Sequence, residues 1–140
     1  MKGSIRDYAE LGLVHHLLYN ARPEDPVGHA ETLRKFIQRS DIDTLDCCLP
    51  LSGDQSTLAE AVRACGKSIC FAIHFYPLRT LPLAAKTPAE KAERNQLLTP
   101  LIDQAAAVGA NGFIFGAGTT SFNSAGAEDF AALDDCLDLL

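Results

Sequence analysis

At 140 residues, with 47% hydrophobic and 21% charged side chains, the chain has the length and balance of one globular domain, which excludes a disordered class. A net charge of -6, with 12 scattered Lys and Arg, excludes the clustered basic surface that a nucleic acid needs. No apolar run approaches the roughly 20 residues that span a bilayer, and no signal-peptide core follows Met1, so no membrane partner is expected and the expected compartment is the cytoplasm.

The first strand is expected over Leu11 to Tyr19, with His15 and His16 near its C-terminal end. After Pro23 and Pro26 a helix runs through Leu33, Phe36 and Ile37. The second strand is Thr44 to Leu49, followed by a helix through Leu58, Ala61, Val62 and Cys65 that ends with Gly66 in the C′ position. The third strand is Ser68 to Phe75. The helix after it starts on a capping box, with Thr87 as N-cap, Pro88 at N1 and Glu90 at N3, and ends at Gly109. Pro100 is expected to bend that helix, because it removes a backbone donor and crowds the preceding turn. The fourth strand is Asn111 to Gly116, and a Gly/Thr/Ser loop leads into a last helix. Phe130, Leu133, Leu137 and Leu140 form its apolar stripe at three- and four-residue spacing.

Asp134, Asp135 and Asp138 stand where the helix dipole disfavours acids, and no stop signal follows. The chain, one partial domain over residues 1–140, is therefore expected to end inside its fourth helix. The five cysteines lack paired CxxC spacing, which suggests neither a disulfide framework nor a zinc knuckle; Cys47, Cys48 and Cys70 read as reduced, buried small hydrophobes.

Four strands alternating with helices imply parallel strands joined by right-handed crossovers. Either an open doubly wound sheet or half of an eight-stranded βα barrel fits. Strand patterning favours the barrel, because Ile69, Phe71, Ile73 and Phe75 alternate with Cys70, Ala72, His74 and Tyr76, as though one face met helices and the other lined a partly polar interior. In a barrel His15, His16, Asp46 and His74 then share the C-terminal face, where active sites are built. Imidazole there can bind a metal, move a proton or hydrogen-bond a sugar hydroxyl. Adjacent histidines on a strand point to opposite faces, so at most one of His15 and His16 should enter the site. Asp46, a charge inside an apolar strand, needs either a salt-bridge partner or a ligand, since burying it alone would cost several kcal/mol. The loop Gly116 to Asn123, with Gly116, Gly118 and Thr119 at its start, offers backbone N–H groups and hydroxyls to an anion. It lacks both the P-loop ending and a third dinucleotide-fingerprint glycine. The substrate-binding candidates are thus His15, His16, Asp46, His74, Gly116, Gly118 and Thr119.

The runs Leu11 to His16, Leu45 to Leu49, Ile102 to Ala110 and Gly112 to Gly118 resemble the sugar phosphate isomerase/epimerase family of the xylose-isomerase-like TIM barrels. The resemblance implies the first four of eight βα units. It implies a substrate that is a sugar or sugar phosphate, and a divalent metal (Mn, Mg, Co or Zn) held in the complete enzyme by two Glu, one Asp and one His from later strands. The family's metal ligands and catalytic carboxylates have no counterpart here, so the catalytic residues are unknown, no metal ligand is expected and the chain alone should bind no metal. Two functions follow as expectations. One is the N-terminal half of a metal-dependent isomerase or epimerase, transferring a proton beside a carbonyl. The other is a half-barrel that binds or assembles without catalysis. Open strand edges and an uncovered apolar interior lead us to expect a homo-oligomer or pairing with a complementary C-terminal half.

Overall fold

A computed structural model describes residues 4–22, 24–73, 83–115 and 126–139. Four strands, β1 (Gly12–Val14), β2 (Thr44–Cys47), β3 (Ser68–Ala72) and β4 (Gly112–Ile114), form one sheet in the order β1-β2-β3-β4. Every pairing is parallel, so the chain is an α/β protein built of successive βα units. The strand order never reverses. Right-handed crossovers that always step the same way deliver their helices to one face. A doubly wound sheet instead changes direction at a switch point and covers both faces, so the order seen is that of consecutive barrel units.

The helices are α1 (His15–Tyr19), α2 (Pro26–Ile37), α3 (Gln55–Arg63), α4 (Pro88–Val108) and α5 (Ala127–Leu137). Contacts divide the chain into two compact units, one of residues 1–72 and 104–114, the other of residues 73–103 and 115–140. The first holds the whole sheet, α1, α2, α3 and the last turn of α4. Its core alternates along the strands as the pleat requires. Leu45, Cys47, Ile69 and Phe71 are buried, Phe71 stacks on Phe113 at 5.8 Å, and Leu33, Phe36, Leu58 and Val62 come down from α2 and α3.

Local chemistry sets the helix ends. Pro26 stands at N1 of α2 behind Asp25, whose carboxylate accepts from the Gly28 N–H, and Asp54 caps α3 through the Thr57 N–H. Gly66 and Gly109 follow α3 and α4 with φ of +74° and +69°, the left-handed turn that glycine adopts without strain. The Arg63 guanidinium donates to the Ala107 carbonyl, filling one of the acceptors that the end of α4 leaves open.

The second unit holds most of α4, together with α5. The expected capping box is present, with Glu90 N–H on Thr87 Oγ1 and Thr87 N–H on Glu90 Oε2. α4 continues through Pro100 as one helix of 21 residues. The α5 stripe differs from the one read in the sequence. Phe130 is 62% exposed and Leu137 is also exposed, while Ala132 and Cys136 are buried with Asp129 and Leu133 beside them. Ion pairs select this face: Lys86 meets Asp129, and Lys91 and Arg94 meet Asp135. Asp135 thus sits where α4 supplies cations, and Asp138 caps α5 after Leu137. No described helix is long and apolar enough to cross a membrane.

Candidate functional site

The sheet face opposite α2 and α3 carries the polar side chains. Val14, Asp46, Cys70 and Gly112 are register partners across all four strands, so they make one row on this face. Gly12, Thr44 and Ser68 make the row before it. Both edge strands place glycine in these rows, and the cause is steric. A Cβ on Gly12 would meet the Thr44 Cβ at 3.3 Å, and one on Gly112 would meet the Cys70 Sγ at 3.2 Å. The row is therefore bare backbone at its β4 end, with Asp46 and Cys70 standing together in its centre.

Asp46 is half-buried on β2, and among the described residues no hydrogen bond or ion pair reaches its carboxylate. The structural salt bridge that would have explained a charged residue in this strand is absent from that set. Burial raises the carboxyl above its usual range, and the positive charge available to His16 offsets part of that rise. The Cys70 thiol is raised by burial and by the Asp46 charge, which keeps it protonated at neutral pH.

The two adjacent histidines do not lie on a strand. β1 stops at Val14, and His15 to Tyr19 form α1, closed by Asn20 in the left-handed region at φ 49°. The alternation argument therefore fails, since neighbours on a helix diverge by about 100° rather than facing opposite ways. His15 is 1% exposed, packed against Tyr19, His29 and Phe36 at centroid distances of 5.7, 4.9 and 5.4 Å. Its Nε2 lies 3.0 Å from Thr32 Oγ1. That hydroxyl also bonds the Gly28 and His29 carbonyls, and to do so it must donate its only hydrogen to them. The network accordingly assigns the proton to His15 Nε2, donating to Thr32. His15 belongs to the packing between α1 and α2, and burial together with the charges available on His29 and His16 lowers its pKa to about 3. His16, half-buried, is the member of the pair that interacts electrostatically with Asp46.

His74, Gly116, Gly118 and Thr119 lie outside the described residues. The structure thus brings together Asp46, His16 and Cys70 and places His15 elsewhere. Sequence reading passed over His29, which is fully buried and bonded through Nε2 to the Cys48 carbonyl at 2.9 Å. Its spacing to Leu33 and Phe36 marks it as a member of the core face of α2. Also unread was an open polar depression lined by Arg6, Asp7, Tyr8, Ala9, Glu10 and Asp43, before β1 and β2 begin. In that depression Arg6 is engaged by Asp43. This is the N-terminal end of the strands, the end that in βα barrels serves stability rather than chemistry.

Among the described residues, no three His, Cys, Asp or Glu side chains converge as a metal-binding group. The residues at hand do not fit the metal that the family resemblance implies, and no chemistry of this site is routed through one. No family model matches the chain, and neither a curated protein nor a solved structure shows significant similarity to it.

Proposed function

We propose that this chain forms one wall of a sugar or sugar-phosphate isomerase/epimerase barrel, and that Asp46 and His16 bind sugar hydroxyls on the open face of its sheet. The observation that carries the reading is the state of Asp46: a carboxylate on a central strand, half withdrawn from water, on which no hydrogen bond or ion pair lies among the described residues, only the charge interaction with His16. A group in that state is stabilised by a ligand that brings hydroxyl donors, and vicinal sugar hydroxyls match the two oxygens of a carboxylate. His16 supplies a neighbouring imidazole that can accept or donate. Catalysis in the complete enzyme would come from groups beyond this set, including the metal that the resemblance implies.

The test is amide shift mapping by NMR with aldoses, ketoses and their phosphates, on the native chain and on Asp46→Asn. The reading expects millimolar binding that shifts residues 44–47 and Cys70, and loss of that binding in the variant. Absence of shifts with every sugar, or equal binding by the variant, would remove it.

A second reading, a half-barrel completed by another copy or by a complementary half, is favoured by the sheet's edges. Among the described residues β1 and β4 are each paired on one side only, and Ile114 on β4 is 50% exposed. Such edges invite strand addition. A monomeric mass in solution by light scattering, with no titratable association, would count against it.

A further inference from the structure

We propose that α1 is an acid-released flap anchored on His15. A five-residue helix is too short to hold itself, because nucleation is unfavourable and most of its backbone groups lack intrahelical partners. It must be held by side chains. His15 is the sole buried residue of α1, and the neighbours Leu17 and Leu18 point to solvent. The anchor is polar, and it is held by one hydrogen bond, Nε2 to Thr32, and by ring contacts with Tyr19, His29 and Phe36. Its other nitrogen, Nδ1, is buried without a hydrogen-bond partner among the described residues.

This arrangement accommodates only the neutral ring. A proton on Nδ1 would place a charge in a pocket offering no acceptor to it. The titratable groups that face it are His16 and Tyr19 from α1 itself and His29 from α2. None is a carboxylate, and both histidines repel a second positive charge when protonated. His29 is fixed separately, through Nε2 to the Cys48 carbonyl, so α2 remains attached to the loop after β2 when α1 leaves. Release frees the ring to take up a proton in water and carries His16 away from Asp46. The flap thus couples acidity to the polar sheet face, whatever ligand that face takes.

The free imidazole titrates near 6.5, so the open population relative to the closed one rises about tenfold between pH 7.5 and 5.5. Hydrogen exchange of the full chain at these two pH values, corrected for intrinsic rates, reads this directly. The segment 15–20 should exchange well ahead of β2 and β3 at both pH values, and its protection should fall about tenfold at the lower one. His15→Phe should remove that pH dependence while keeping the segment protected. Exchange of 15–20 in step with β2 and β3, or protection in 15–20 that does not change with pH, would overturn the proposal. If His15→Phe does not fold, the native chain still decides: NMR must show the His15 ring and the α1 amides changing together. A ring that titrates while the α1 amides stay in place overturns it.

Discussion

Arg94 Nη2 lies 2.9 Å from Asp135 Oδ2, with the arginine side chain 1% exposed and the aspartate 42% exposed. The two partners therefore differ in what they lose when the pair is broken. The guanidinium also donates to Asn95 Oδ1 and to the Leu83 carbonyl at 3.2 Å, so it links α4 both to the segment before it and to α5. Removing it leaves buried acceptors without donors, a loss of about 3 kcal/mol or more. Arg94→Met is expected to lower the unfolding free energy by about that amount in urea titrations followed by circular dichroism. Asp135→Asn should cost clearly less, because the amide oxygen can still accept and its surroundings are half water. Equal losses in the two variants would show that the buried arginine is not the dominant member.

That pair also shows what the sequence made legible and what it did not. The four βα units, the Thr87/Glu90 capping box and the glycine stops at Gly66 and Gly109 follow from local chemistry, and each is found in the structure. The face of α5 was misread because hydrophobic spacing counted Phe130 and Leu137, whereas Lys86, just before α4, and Lys91 and Arg94 on α4, more than 30 residues away in the chain, pair with Asp129 and Asp135. The boundary at His15 was missed for a different reason. The apolar run Leu11 to Tyr19 reads as a strand, yet His15, Leu18 and Tyr19 also stand at helical spacing, and Asn20 is a residue type that tolerates the left-handed cap. For the site, Asp46 was legible as an anomaly within an apolar strand. Its lack of a salt bridge among the described residues was not, since that depends on tertiary neighbours.

The approach of Gly112 to Cys70 predicts a coupled pair. A methyl group at position 112 would stand 3.2 Å from the Cys70 sulfur, closer than packed atoms usually come, and the β4 backbone or the thiol must shift. Gly112→Ala is expected to destabilise by about 1–2 kcal/mol, the usual effect of overpacking. In the background of Cys70→Ala the same substitution should cost much less. A double-mutant cycle in urea measures the difference, and strict additivity would mean the contact is relaxed elsewhere.

Asp46 should show opposite effects on stability and on binding. Burial holds its folded pKa above the unfolded value, so the charged form is disfavoured in the fold, and the native state gains relative stability as pH falls through the carboxylate range. At neutral pH the charge is therefore a mild liability. Asp46→Asn removes it in nearly the same volume and is expected to raise the thermal midpoint slightly, by under about 1 kcal/mol of stability, while abolishing any sugar binding. A variant that is less stable than the native chain would reveal a structural partner for the carboxylate.

Acid should weaken the chain well before its carboxylates titrate, and His15 determines where the loss begins. Its folded pKa is about 3 against an ordinary 6.5. Above pH 6.5 neither folded nor unfolded chain holds this proton, and the full stability is present. Below 6.5 the unfolded chain binds a proton that the closed fold refuses, so stability falls by about 1.4 kcal/mol per pH unit while α1 stays shut, at most about 5 kcal/mol in all. Glu90, Asp129 and Asp135 act later. Hydrogen bonds from the Thr87 and Lys86 backbone lower Glu90, the Lys86 ammonium lowers Asp129, and Lys91 followed by Arg94 lowers Asp135. Their contributions persist until the pH falls below the ordinary carboxylate values and through the lowered folded ones. The interval from pH 6.5 to about 5 therefore isolates histidine. Urea midpoints measured across it should decline in the native chain and level off in His15→Phe. A flat native profile over that interval would mean that the buried ring accepts a proton in place.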